Sequence, residues 1–71
     1  MQQQVVVIHV NGEQREVPAN RSITGLLEVL NVPAERVAVE LDKTIVRKRD
    51  WPNVTVADGA RLEIVEFVGG G

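Results

Sequence analysis

The sequence predicts an α+β fold in which one main helix packs on one face of a mixed β-sheet, in the chain order ββαββ. Three observations carry that prediction: a β-branched run ending in Asn-Gly, one stretch with helical apolar spacing, and later short runs with two-residue alternation. Seventy-one residues make one domain, close to the lower size at which a chain folds on its own core. Hydrophobic residues are 44% and charged residues 25% of the chain, which is a globular rather than a disordered composition.

Val5 to Val10 is apolar and β-branched except at His9, and it ends at Asn11-Gly12, the strongest short-range hairpin signal. It reads as a central strand. The return strand, Glu13 to Pro18, is polar at most positions and closes at proline. That suits a sheet edge, where proline costs no ladder hydrogen bond and charge discourages unwanted pairing. Next, "RSITGLLEVL" offers Ser22 as a helix N-cap and places Ile23, Leu26, Leu27 and Leu30 at i, i+3, i+4 and i+7, a single apolar stripe. Asn31 and Pro33 stop the helix. Gly25 inside so short a helix costs about 1 kcal/mol relative to alanine. It marks either a close approach to the sheet or simply a weak first turn.

"RVAVEL" alternates Val37, Val39 and Leu41 against Ala38 and Glu40, a half-buried strand. The Asp42-Lys43 turn leads to a short apolar stub, Ile45-Val46. The polar loop "RKRDWPN" and the turn signal Asp58-Gly59 then precede a last strand, "RLEIVEFV", which runs straight into three glycines. Burying both the leucine stripe and Val6/Ile8 requires the last strand to insert beside the first, with the helix over one face of the sheet. That arrangement is a ubiquitin-like β-grasp roll. Its domain is expected to span residues 1–68, with 69–71 a flexible C-terminal glycine tail.

Several functions are excluded by composition. The chain has no cysteine, so disulfides, thiolate nucleophiles, persulfides and thiolate metal sites are all ruled out. A net charge of −2 gives no footprint for nucleic acid. No apolar run reaches transmembrane length, and the opening "MQQQVVVIHV" lacks the basic region and cleavage site of a signal peptide, so no membrane association and a cytoplasmic location are expected. His9 reads as an outward, solvated strand residue, with no second metal-ligating side chain spaced to help it. No metal site is expected. Arg47 to Arg49 form a solvated loop or a guide for an acidic partner face, and Trp51 is a packing anchor against the sheet edge. No carboxylate pair or Ser/His/Asp set makes the chain an enzyme.

The chemistry is expected instead at the ending "EFVGGG". With the last strand paired to about Val68, Gly69, Gly70 and Gly71 project from a rigid body and reach at most about 10 Å when extended. No side chain widens them, so the tail fits a narrow tunnel in a partner and delivers the α-carboxylate of Gly71. A free terminal carboxylate, with a pKa of about 3.5, is ionised and is a poor electrophile. It must first be activated, most simply as a mixed anhydride with AMP. The chain has no glycine-rich phosphate loop, so ATP must be used by another protein and no cofactor is bound here. Period two places Leu62 and Ile64 on one face of the last strand and Glu63, Val65 and Phe67 on the other. If the first pair faces the helix, Val65 and Phe67 stand outside beside Val5 and Val7. Together with Val68 these residues form an apolar partner-binding strip, unless they fold back over a minor core.

Over nearly its whole length the chain resembles the bacterial ThiS-type sulfur carriers of thiamine biosynthesis, within the β-grasp superfamily that includes ubiquitin. The resemblance is carried by "VNGEQREVP", "SITGLLEVL", "VAVELDKTIVRKRDW", "VADGARLEIV" and "FVGGG", with "IVRKRDW" more specific than the glycines. Two departures stand out: Ala60 follows Asp-Gly where the family commonly has an acidic residue, and "ELDK" replaces an Asn-containing turn. The resemblance implies that a ThiF-type adenylating enzyme converts the Gly71 carboxylate to an acyl-adenylate. Sulfur from a cysteine desulfurase relay would then displace AMP to leave a thiocarboxylate, which a ThiG-type thiazole synthase would receive. Three alternatives stay open. They are a MoaD-type carrier for molybdopterin synthesis, whose usual Pro-Pro-hydrophobic stretch is missing here, a ubiquitin-like modifier, and a β-grasp interaction module with an irrelevant tail.

Overall fold

The structure is a computed structural model and describes residues 4–67. Strands β1 (Val5–Val10) and β2 (Glu13–Pro18) form an antiparallel hairpin with Val10 opposite Glu13. The two linking residues, Asn11 and Gly12, have φ of 52° and 86°, the left-handed pair that matches the twist of a two-residue hairpin. Helix α1 (Ile23–Val29) follows, and then β3 (Val37–Leu41), β4 (Thr44–Val46) and β5 (Arg61–Glu66). The sheet order is β2-β1-β5-β3-β4, with β1 and β5 parallel and the other neighbours antiparallel. The chain order is thus ββαβββ, one strand more than the expected ββαββ, because the stub at Ile45-Val46 pairs with β3 as a strand of its own; the last strand is central, as the ubiquitin-like β-grasp order requires.

Ser22 caps α1, its Oγ accepting from the Gly25 N–H at 3.1 Å. Seven helical residues are too few to be stable alone, so the helix depends on its buried face. Ile23, Leu26 and Leu27 are fully buried on that face, and Leu30 packs at its margin. They meet Ile8, Val17, Val37, Val39 and Leu62 from the sheet. Gly25 is not pressed against the sheet: a Cβ there would make ordinary contacts with Ser22 Oγ at 3.6 Å and Arg21 at 3.7 Å. Of the two readings, the weak first turn is the correct one.

Two short 3-10 helices, Ala34–Arg36 and Lys48–Asn53, occupy segments that period alone leaves as loop. The second folds "RKRDWPN" back over the core. Trp51 is buried within it beside α1, and its indole N–H donates to the Val46 carbonyl of β4 at 2.9 Å. Trp51 thus anchors the sheet edge through a hydrogen bond as well as by packing. Ala60 is buried just before β5, where no charged side chain is accommodated without a partner. Among the described residues, no helix is long and apolar enough to cross a membrane.

Candidate functional site

Alternation along each strand divides the sheet into two faces. Val6, Ile8, Val10, Leu62, Ile64, Val37, Val39 and Val46 lie in the core or pack against it under α1. The opposite face carries Val5, Val7 and His9 of β1, Ala38 and Glu40 of β3, Ile45 of β4, and Glu63 and Val65 of β5. On it Ala38 stands directly opposite Val65, while Glu40 lies between Ile45 and Glu63. These residues line a shallow groove of about 280 Å³. Ile45 is 71% exposed, Val65 58% and Phe67 57%, so the apolar side chains here remain open to water. Two carboxylates, Glu40 and Glu63, face each other across the strands beside them.

The register corrects one expectation. Val65 and Phe67 do not stand beside Val5 and Val7. β1 and β5 meet only at His9 with Arg61 and Val10 with Leu62, because β1 turns away at Asn11 just as β5 begins. Val5 lies four residues before His9 and Val65 four after Arg61, a separation of eight positions, or about 26 Å along the sheet. Val7 is held instead by the turn before β5: its N–H donates to Asp58 Oδ1 at 2.8 Å and its carbonyl accepts from the Gly59 N–H at 2.7 Å. The single expected strip is thus two patches at opposite ends of one face.

The tail-side patch holds residues that alternation within β5 does not reveal. Ala38 and Ile45 belong to it because β3 and β4 continue the sheet beyond β5, and the period-two pattern of β3 is the signal that would have placed Ala38 there. The strand carrying the patch is paired to the end of the described chain, with the Phe67 N–H donating to the Arg36 carbonyl at 2.6 Å. On its other side, the Asn11 side chain bonds both main-chain groups of Ile64. Val68, Gly69, Gly70 and Gly71 lie outside the described residues. His9 is half-buried rather than solvated, and its Nδ1 finds no partner among the described residues. No three metal-ligating side chains gather among those residues.

A sequence model described as the ThiS family matches residues 8–71, from the core of β1 through all three glycines. The chain belongs to the ThiS family. The crystal structure of a thiamine biosynthesis protein (ThiS) from Geobacter metallireducens is similar to this ThiS-family chain with a TM-score of 0.82 and 35% sequence identity, covering 93% of this chain and 100% of that one. A thiazole synthase from Paramagnetospirillum magneticum is 45% identical over 62 residues, covering 87% of this chain and 19% of that protein. A thiazole synthase from Magnetococcus marinus is 38% identical over 64 residues, covering 90% and 20%. This ThiS-family chain therefore spans about a fifth of the length of those two relatives. The protein ycf40 of Porphyra purpurea is 32% identical over 66 residues, 93% of both chains.

Proposed function

We propose that this ThiS-family chain is a sulfur carrier of thiamine biosynthesis and that the α-carboxylate of Gly71 is the group it carries sulfur on. The observation that supports this most directly is the family match running through Gly71, on a fold whose central strand leads to that end. A carboxylate oxygen of Gly71 attacks the α-phosphorus of ATP held by a ThiF-type partner, and pyrophosphate leaves. Persulfide sulfur from a cysteine desulfurase relay, brought to the sulfide level by two electrons from a thiol reductant that becomes a disulfide, then adds to the carbonyl carbon of the acyl-adenylate. AMP departs with the bridging oxygen, leaving a thiocarboxylate. The chain is the substrate of these steps rather than their catalyst, binds no cofactor itself, and works in the cytoplasm.

In this reading residues 1–68 are the β-grasp domain and Gly69, Gly70 and Gly71 are the tail that enters partner active sites. The docking face is the tail-side patch of Ala38, Ile45, Val65 and Phe67, with Val68 expected to extend the contact toward the tail. Val5 and Val7 form a separate patch outside it. A ThiG-type thiazole synthase as recipient is supported by the two relatives of that name, in which a segment similar to this chain is part of a longer protein.

The test is an intact mass after incubation with ATP, a ThiF-type enzyme and a sulfur donor. Replacement of one oxygen by sulfur, localised to Gly71 by fragmentation, is the expected result. An unchanged mass, with the enzyme active on another carrier, overturns the reading.

A further inference from the structure

Where β1 ends, its partner does not. β5 continues past Leu62 for four more residues toward the C-terminus, and among the described residues no strand accompanies it on the β1 side beyond Val10. A strand hydrogen-bonded along only one edge is free to pivot about that edge, and the error in its direction is carried to whatever follows it. The molecule supplies a substitute for the missing edge. Asn11 first donates its backbone N–H to the Leu62 carbonyl at 2.8 Å. Its side chain then takes the next position of the ladder: Oδ1 accepts from the Ile64 N–H at 2.7 Å and Nδ2 donates to the Ile64 carbonyl at 3.1 Å. One carboxamide thus presents to Ile64 both the acceptor and the donor that two alternate residues of a longer parallel β1 would have supplied between them.

The choice of asparagine follows from the chemistry required. Asp58 and Asp42 cap the N–H groups of Val7 and Arg61 at 2.8 and 3.0 Å, and a carboxylate suffices there because each only accepts. At Ile64 both a carbonyl and an N–H are met by one side chain, which an ionised carboxylate cannot do. Asparagine also tolerates the left-handed backbone of this turn, where Asn11 has a φ of 52°. On the opposite edge, the Arg36 carbonyl receives the Phe67 N–H, so the strand end is gripped from both sides within three residues.

We propose that Asn11 is a positioning residue for the carrier's C-terminus: its carboxamide completes the β5 ladder at Ile64 and so fixes the direction in which the last residues leave the domain. The role rests on the carrier reading given above, since it matters only if a partner must receive the tail. Its effect is one of pre-organisation. A segment already aimed loses less freedom on entering a tunnel, and removing the clamp raises the KM for the carrier while leaving the chemistry of bound carrier unchanged.

The experiment compares the full chain with Asn11→Gly, which keeps the left-handed turn at no steric cost but removes both side-chain bonds, and with Asn11→Asp, which keeps the acceptor and loses the donor. Backbone 15N relaxation is measured first, with no partner present. Order parameters at Glu66 and Phe67 should fall from the rigid range of about 0.85 toward about 0.6 in Asn11→Gly, with a smaller fall in Asn11→Asp and no change in β3. Unchanged order at Glu66 and Phe67 overturns the proposal whatever the activity. The second measurement is steady-state adenylation by a ThiF-type enzyme. The KM for Asn11→Gly should rise about three- to tenfold with kcat within about twofold of the parent. Loss of order without a rise in KM, when the parent is activated normally, also overturns it. If the parent itself is not activated, the carrier reading fails, and the relaxation data alone decide whether Asn11 holds the strand end.

Discussion

Replacing Ile45 and Val65 together by serine separates docking from folding on the tail-side patch. Fully burying a valine or isoleucine side chain contributes about 1.5–3 kcal/mol relative to leaving it exposed. Ile45 is 71% and Val65 58% exposed in the free protein, so most of that gain is still available to a partner that covers them. The two sites together then contribute about 2–4 kcal/mol to docking, and the double variant should bind its adenylating partner about 30- to 800-fold more weakly. The same exposure limits the cost to the free fold to about 1 kcal/mol, from lost strand propensity. Titration calorimetry with the partner measures the first quantity and thermal melting the second. Val5→Ser is the matched control, because Val5 is 54% exposed but lies about 26 Å along the sheet from Val65. It should weaken binding less than about threefold. A double variant that folds and binds within threefold of the parent, or a Val5 control that loses as much as the double variant, refutes the assignment of docking to the tail-side patch.

Other outcomes follow from the core and the helix. Gly25→Ala should stabilise the protein by about 0.5–1 kcal/mol, raising Tm by about 3–6 °C in a thermal melt, since the added Cβ meets only ordinary contacts. A lower Tm would mean that the helix start is more crowded than its geometry indicates. Trp51→Phe removes the indole bond to the Val46 carbonyl and part of a buried ring, and should cost about 1.5–3 kcal/mol by urea denaturation followed with circular dichroism. Ser22→Ala deletes the side-chain cap of α1 and should cost about 1 kcal/mol in the same assay.

Ala60 shows how a departure from the family's pattern reads once burial is known. As sequence it is a neutral residue where an acidic one is common. In the fold it is a core residue at the entrance to β5, 6% exposed, so a small apolar side chain suits the site it occupies. The loop "RKRDWPN" is a similar case. Its charges advertise a solvated segment, yet Trp51 within it is 3% exposed, because a 3-10 turn places one residue of the six inward while the basic side chains remain in solvent.

The elements and their kinds are legible in the chain read residue by residue, since each rests on interactions among near neighbours. Asn11-Gly12 specifies a hairpin through its left-handed backbone, Ser22 and the Ile23, Leu26, Leu27 stripe specify a capped amphipathic helix, and two-residue alternation specifies which side of each strand is buried. The resemblance carried by "IVRKRDW" and the glycines likewise stands on residues read in order, and the family match bears it out. The offset between β1 and β5, by contrast, emerges only when the chain is packed. Pairing between strands more than fifty residues apart in the chain is set by how the helix and the Asp58-Gly59 turn fit over a common core, and no local pattern encodes it. That offset separated Val5 and Val7 from Val65 and Phe67, brought Ala38 and Ile45 to the tail side, and left β5 to outrun its neighbour, so that Asn11, legible only as a turn residue, had a second set of hydrogen bonds to make.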